Sequence, residues 1–138
     1  MSEKGMRRRV IQVLKKLDAI AVENPAYPGT PDVWYMEGAL ELKWARKWPT
    51  HEDTPLRMPH FTRQQKLWLA KRWNMGGEAY LLLKVGREWL LFDGLTAGLV
   101  IGTANKAELR AAAISSWRPS LSERELLRIL KNGRSTLS

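Results

Sequence analysis

The stretch GTPDVWYMEGALELKW, residues 29–44, contains two strand-like runs, 32–36 and 39–44, with Glu37-Gly38 between them as a tight-hairpin signal. Side chains alternate along a strand, so Glu41 and Lys43 share one face and Leu42 takes the other. A tight hairpin brings Asp32, at the start of the first run, within one metal-coordination distance of Glu41. Two carboxylates and the Leu42 carbonyl then form a partial, oxygen-rich site. Such a site suits Mg²⁺ or Mn²⁺, which keep several waters and complete their shell with substrate phosphate. Lys43 beside it supplies a positive charge that can orient or help deprotonate a water and stabilise a developing phosphorane. Each half also has a bland reading. An Asp at a strand start caps turns, and E-x-K on a strand forms a same-face ion pair. Together, beside the apolar Leu40 and Leu42, the two halves point to phosphodiester chemistry.

The flanking sequence places this hairpin in an alternating order. Residues 3–18 read as a helix, with Met6, Val10, Val13, Leu14 and Leu17 on one stripe, and 19–23 as a short strand. The proline-rich 24–31 segment is a rigid loop, and 45–61, with Pro49, Pro55 and Pro59, is a long polar one. Thr62 starts a helix over 63–75, closed by Gly76-Gly77. Strands follow at 79–85 and 88–92 around Gly86-Arg87, with a further short one expected at 99–101. Asn105, with Glu108 three residues on, opens a helix to about Trp117, and a last amphipathic helix covers about 121–131. The expected architecture is an α/β (α+β, mixed-sheet) single domain over 1–138. Its core covers about 3–92, with a C-terminal helical extension over about 105–131.

Composition narrows the partner. With 138 residues, 44% of them hydrophobic, the chain can bury a real core, and no run of about 18 apolar residues exists to span a membrane. MSEKGMRRRV has no apolar segment behind its charges, so no secretory signal is expected. The absence of Cys excludes disulfides, thiolate zinc sites and cysteine nucleophiles, and fits a reducing compartment. A cytoplasmic setting, in a bacterial or phage-infected cell, is the expectation, the phage source by analogy with small genomes. The net charge is +9, and residues 43–72 carry eight basic residues against Glu52 and Asp53, two thirds of the excess. A second cluster comprises Lys4, Arg7, Arg8, Arg9, Lys15 and Lys16. Two clusters of one sign favour a phosphate backbone over a merely solvated helix face.

GTPDVWYMEGALELKW resembles the core of the PD-(D/E)XK nucleases, and the helices before and after it complete their αβββαβ order, a restriction-endonuclease-like core. FTRQQKLWLAKRWNMGGEAYLLL, residues 61–83, is similar to the VRR-NUC branch, where an (S/T)-x-x-Q-x-x-W-L helix follows the E-x-K strand. Phage and archaeal Holliday junction resolvases share the same core. The resemblance covers about residues 3–92. It implies metal binding by Asp32 and Glu41, a catalytic Lys43 and a supporting Gln65. Many members also carry an acid on the first helix, for which Glu3 is the early candidate here and Asp18 sits at the helix end. Thr62-x-x-Gln65 is equally a helix capping box.

The remaining motifs are weaker. Trp44 and Trp48 flank the exit of the E-x-K strand and could stack on unpaired bases, although core filling is commoner. Trp68 and Trp73 lie on different faces of their helix, so one is expected in the core. His51 and His60 lack zinc spacing and read as loop residues. Arg7, Arg8, Arg46, Lys47, Arg63 and Lys66 are the expected DNA contacts. The reading is a metal-dependent, structure-specific DNA endonuclease acting on four-way or related branched junctions as a homodimer, since 138 residues leave no room for a sequence-reading module. The alternatives are a related nuclease acting on flaps, nicked or linear duplex, a non-catalytic basic DNA-binding domain, or an assembly protein holding genome.

Overall fold

Apolar residues at helical spacing bury Met6, Val10 and Val13 of the first helix, α1 (Glu3–Val13), and a 3₁₀ turn, Leu14–Leu17, continues the stripe. Asp18 ends it in the left-handed conformation, with its amide bonded back to the Leu14 and Lys15 carbonyls. Then come β1 (Ile20–Ala21), β2 (Val33–Trp34), β3 (Ala39–Ala45), α2 (Arg63–Asn74), β4 (Ala79–Val85) and β5 (Glu88–Asp93). The chain finishes with α3 (Gly94–Val100), α4 (Lys106–Ala112), β6 (Ser115–Trp117), α5 (Glu123–Asn132) and a 3₁₀ turn. This computed structural model describes residues 3–22 and 29–136. Residue 23 of the first expected strand and 24–28 of the proline-rich loop lie outside the described residues.

The strands form one mixed sheet in the order β1-β2-β3-β4-β5-β6. Only β3 and β4 run parallel, because α2 carries the chain between them; the other neighbours are antiparallel. Alternation splits the central strands between two cores. Leu40, Leu42, Tyr80, Leu82, Trp89 and Leu91 meet α1 and α5 on one face. Leu81, Leu83, Leu90 and Phe92 meet α2, α3 and α4 on the other. The mixed sheet between helical layers, and the αβββαβ order through β4, match the fold class read from the sequence. No helix among the described residues is long and apolar enough to cross a membrane.

Three local expectations are corrected. The hairpin loop is Met36-Glu37, one residue earlier than expected, because Tyr35 and Gly38 already exchange backbone hydrogen bonds. Gly38 answers a packing need: a Cβ there would sit 2.3 Å from the Glu78 carbonyl oxygen. The expected strand at 99–101 falls instead in and just after α3. Asp93 caps that helix through the Thr96 amide and hydroxyl, both at 2.8 Å. Its glycine-rich, β-branched sequence is a poor helix former, yet Gly94 lets α3 approach α2, since a Cβ would lie 2.7 Å from the Leu69 carbonyl oxygen. The helix expected to reach Trp117 stops at Ala112, and Ser115–Trp117 pairs with β5 as the sheet's last strand. Glu125 of α5 fastens that strand, accepting from Ser115 Oγ at 2.8 Å and Trp117 Nε1 at 3.1 Å. Tertiary pairing overrides local helical preference at this edge.

Candidate active site

β3 breaks the apolar pattern of the face beneath α2. Where the neighbouring strands present Leu81, Leu83, Leu90 and Phe92, β3 presents Ala39, Glu41, Lys43 and Ala45. The parallel register sets Glu41 beside Leu81 and Lys43 beside Leu83. Glu41 is 1% exposed and Lys43 7%.

Four charged residues are buried among the described residues: Glu41, Lys43, Lys84 and Glu88. Glu88 is fully served, by Trp48 Nε1 at 3.0 Å and by a two-pronged Arg110 at 2.7 and 2.8 Å, and these bonds hold its carboxyl below the usual range. Lys43 donates to the His60 carbonyl at 2.9 Å, and Lys84 to that of Gly86. Glu41 alone has no hydrogen-bond partner on either carboxylate oxygen. Burial pushes its carboxyl up to about 9; the facing Asp32 adds to the rise, and Lys43 pulls the other way. A buried carboxylate in this state requires a proton or a cation.

Asp32 supplies the second carboxylate. β2 pairs Val33 with Leu40, so one step on Asp32 stands across from Glu41. Its Oδ2 accepts from the Leu42 amide at 3.2 Å and its Oδ1 from Arg7 of α1 at 2.9 Å. The Leu42 N–H and C=O point to the same edge of an extended strand, which puts the Leu42 carbonyl on the Asp32 side. The approach to Asp32 is set by Gly29, whose φ is +92° and whose hypothetical Cβ would lie 2.7 Å from the Gln64 carbonyl oxygen in α2. Gly29→Ala is therefore expected to destabilise the fold by about 1–3 kcal/mol, read as a lowered urea midpoint. An unchanged midpoint would show that this segment yields freely.

The start of α2 reaches the same neighbourhood. Two ammonium groups approach the Phe61 ring, Lys43 Nζ at 5.8 Å and Lys66 Nζ at 5.4 Å from its centre. Gln65 completes the capping box: its Oε1 accepts from the Thr62 amide at 2.9 Å while Thr62 Oγ1 accepts from the Gln65 amide at 3.2 Å. Arg63 is exposed at the first position of α2.

The structure thus brings together Asp32, Glu41, Leu42 and Lys43, with Arg7 on Asp32 and with Lys66 at the same Phe61 ring as Lys43. Glu3 is exposed in the first turn of α1 and is not among the charges acting on Glu41. Arg8 is exposed on α1, and Arg46 and Lys47 are exposed past the far end of β3. Sequence reasoning missed the Arg7–Asp32 ion pair and the His60 carbonyl. Helical spacing could have suggested Arg7, one residue from the buried Met6, whereas a backbone acceptor leaves no trace in residue type. No group of three or more His, Cys, Asp or Glu able to hold a metal occurs among the described residues, so the donor set is two carboxylates and a carbonyl. Glu41's orphaned oxygens, the hard oxygen donors and the apolar wall fit a small divalent cation.

No family model and no curated protein matches the sequence. Among solved structures, the chain is similar to Hjc of Archaeoglobus fulgidus, described as a Holliday junction resolvase from an archaeal hyperthermophile. The identity is 24% and the TM-score 0.43, over 67% of this chain and 76% of that one.

Proposed function

We propose that the protein is a divalent-metal-dependent DNA endonuclease that recognises branched structure, with four-way junctions its foremost substrate. The observation that carries this reading is Glu41: a carboxylate 1% exposed, without a partner, across from Asp32 and two residues before Lys43. Asp32, Glu41 and the Leu42 carbonyl would hold Mg²⁺ or Mn²⁺. When bound, the ion supplies Lewis acidity toward a phosphodiester and its attacking water. Lys43 uses one of its three donors on the His60 carbonyl, which fixes the ammonium beside the carboxylates and leaves the others for a phosphate oxygen. Glu3 is proposed as the outermost acid of the site, and Gln65 as its support from α2. Arg7 on Asp32, Arg63 and Lys66 of α2, the exposed Arg8 of α1, and Arg46 and Lys47 at the strand exit are proposed to draw in the backbone. The paired cuts a junction needs suit a homodimer.

A cleavage panel tests the reading. With Mg²⁺ or Mn²⁺ the protein is expected to cut a four-way junction faster than flap, nicked or plain duplex DNA, and to cut none in EDTA. Preference for another member moves the substrate within the nuclease class. Tight, salt-sensitive binding without any cutting would replace the enzyme by a DNA-binding module. The Arg7–Asp32 ion pair favours that second reading, because it neutralises one carboxylate from within the chain.

A further inference from the structure

A second concentration of chemistry lies at the far end of β3, on the face turned away from Glu41. There α1, the ends of β3, β4 and β5, and the 119–121 segment enclose a cavity of about 500 Å³. Its walls include Arg9, Trp44, Arg46, Lys84, Arg87 and Trp89, and no acidic residue lines it. Arg9 is paired, to Glu123 at 2.5 Å. Arg46, Lys84 and Arg87 have no carboxylate partner among the described residues. Lys84 is 7% exposed, bonded to the Gly86 carbonyl and held 5.3 Å from the Trp89 ring centre. Burial, and the nearby charge of Arg87, both disfavour its ammonium form. Like charges gathered in a concavity without a counter-ion are relieved by a bound anion.

The tryptophans add a second, independent observation. Trp34 meets Trp68 edge to face, and Trp73 meets Tyr80. Trp48 and Trp117 donate to glutamates, and Trp89 carries Lys84. Among the described residues Trp44 alone of the seven has no ring, cation or hydrogen-bond partner of this kind. It is half-buried, with its apolar side on the core, and it borders the cavity.

We propose that this cavity receives one unpaired nucleotide of a DNA strand, its base against Trp44 and its phosphate between Arg46 and Arg87. The inference rests on the nucleic-acid part of the reading above and needs no cleavage chemistry. The volume suits one nucleotide, whereas a double helix is too wide to enter and can only cross the mouth. An aromatic platform beside cations is the means by which single strands are bound without regard to sequence. A branched substrate, whose arms fray at the crossover, presents such a nucleotide.

The test uses the full chain in EDTA, so that cutting plays no part. Binding of a short oligothymidylate and of a blunt duplex is followed by fluorescence anisotropy. Arg87→Gln, at an exposed turn, and Trp44→Leu are each expected to weaken oligothymidylate binding about tenfold or more and duplex binding less than about twofold. Trp44→Phe is expected to restore most of the Trp44→Leu loss. Equal losses on both DNAs would reduce the cavity to general basic surface and overturn the proposal, as would no loss on either. Thymidine monophosphate that competes as well as the oligonucleotide would assign the cavity to a free nucleotide and also overturn it. A wild-type protein that binds both DNAs yet cuts none with Mg²⁺ removes the nuclease reading and leaves this one standing.

Discussion

Glu41→Gln is expected to cut branched DNA at least about a thousandfold more slowly than the wild type and, without metal, to outlast it at alkaline pH. The first effect follows from removing one of the two carboxylates proposed to hold the metal while keeping the shape of the side chain. The second follows from the proton. Glu41's carboxyl titrates near 4.5 in an unfolded chain and is pushed up to about 9 in the fold, chiefly by burial. Between those values the folded protein holds a proton that the unfolded chain has released. Wild-type stability therefore falls as pH rises through the window, by about 1.4 kcal/mol per pH unit from this group, and the loss is complete above the folded value. The amide of the variant has nothing to titrate, so its profile should lack this slope. Urea midpoints at pH 5, 7 and 9 in EDTA measure the difference. Parallel profiles for the two proteins would mean that Glu41 is not held as a buried acid. Mn²⁺, by binding the folded site, should raise the wild-type midpoint and leave that of Glu41→Gln unmoved.

Lys43→Met should cut about a hundredfold or more slowly while binding junction DNA in EDTA nearly as well as the wild type. Methionine fills much of the volume of the lysine stem beside Leu83 and Phe61, so the core is kept. What disappears is the ammonium and its bond to the His60 carbonyl, a loss of about 1 kcal/mol of stability. Arginine at this position should not rescue cutting, because its wide planar fork cannot occupy the place of a single ammonium 7% exposed. Single-turnover rates at saturating DNA and metal separate this from weakened binding. Normal cutting by Lys43→Met would remove the lysine from the chemistry and leave it as a buried, backbone-bonded cation.

The parts of the fold that were legible in sequence are those where local pattern and tertiary structure agree. The α1 stripe, the alternation along β3 and the Thr62–Gln65 cap each express a period or a bond formed within a few residues. The hairpin itself was legible but its register was not: a Glu37-Gly38 turn would pair position 32 with 43, and the loop at Met36-Glu37 is what sets Asp32 across from Glu41. Legibility ended where the deciding partner was remote. Nothing near residues 115–117 announces a strand; β5 imposes it. Residues 99–101 read as strand, and what places them in and just after α3 is the helix's close contact with α2, which Gly94 permits. At the site, residue types pointed to the carboxylate pair and the lysine, but not to the isolation of Glu41. That isolation depends on Leu81 of the neighbouring strand and on the helix laid above. Arg7 stands in sequence only as one of the expected DNA contacts, and its pairing with Asp32 is visible only once α1 is docked.

The single parallel pairing in the sheet has a consequence for how the protein reaches its working form. β2–β3 and β4–β5 are hairpins that pair residues close in sequence, whereas β3 and β4 meet across residues forty apart, as with Ala39 and Ala79. Closing that long loop costs more entropy than closing either hairpin, so the seam is expected to form after the two hairpins. The wall behind Glu41 is the β4 side of the seam. A chain with both hairpins made and the seam open would leave Asp32 and Glu41 in water, without the enclosure that the β4 side provides. On the function proposed above, metal affinity and cutting would then arise together as the seam closes.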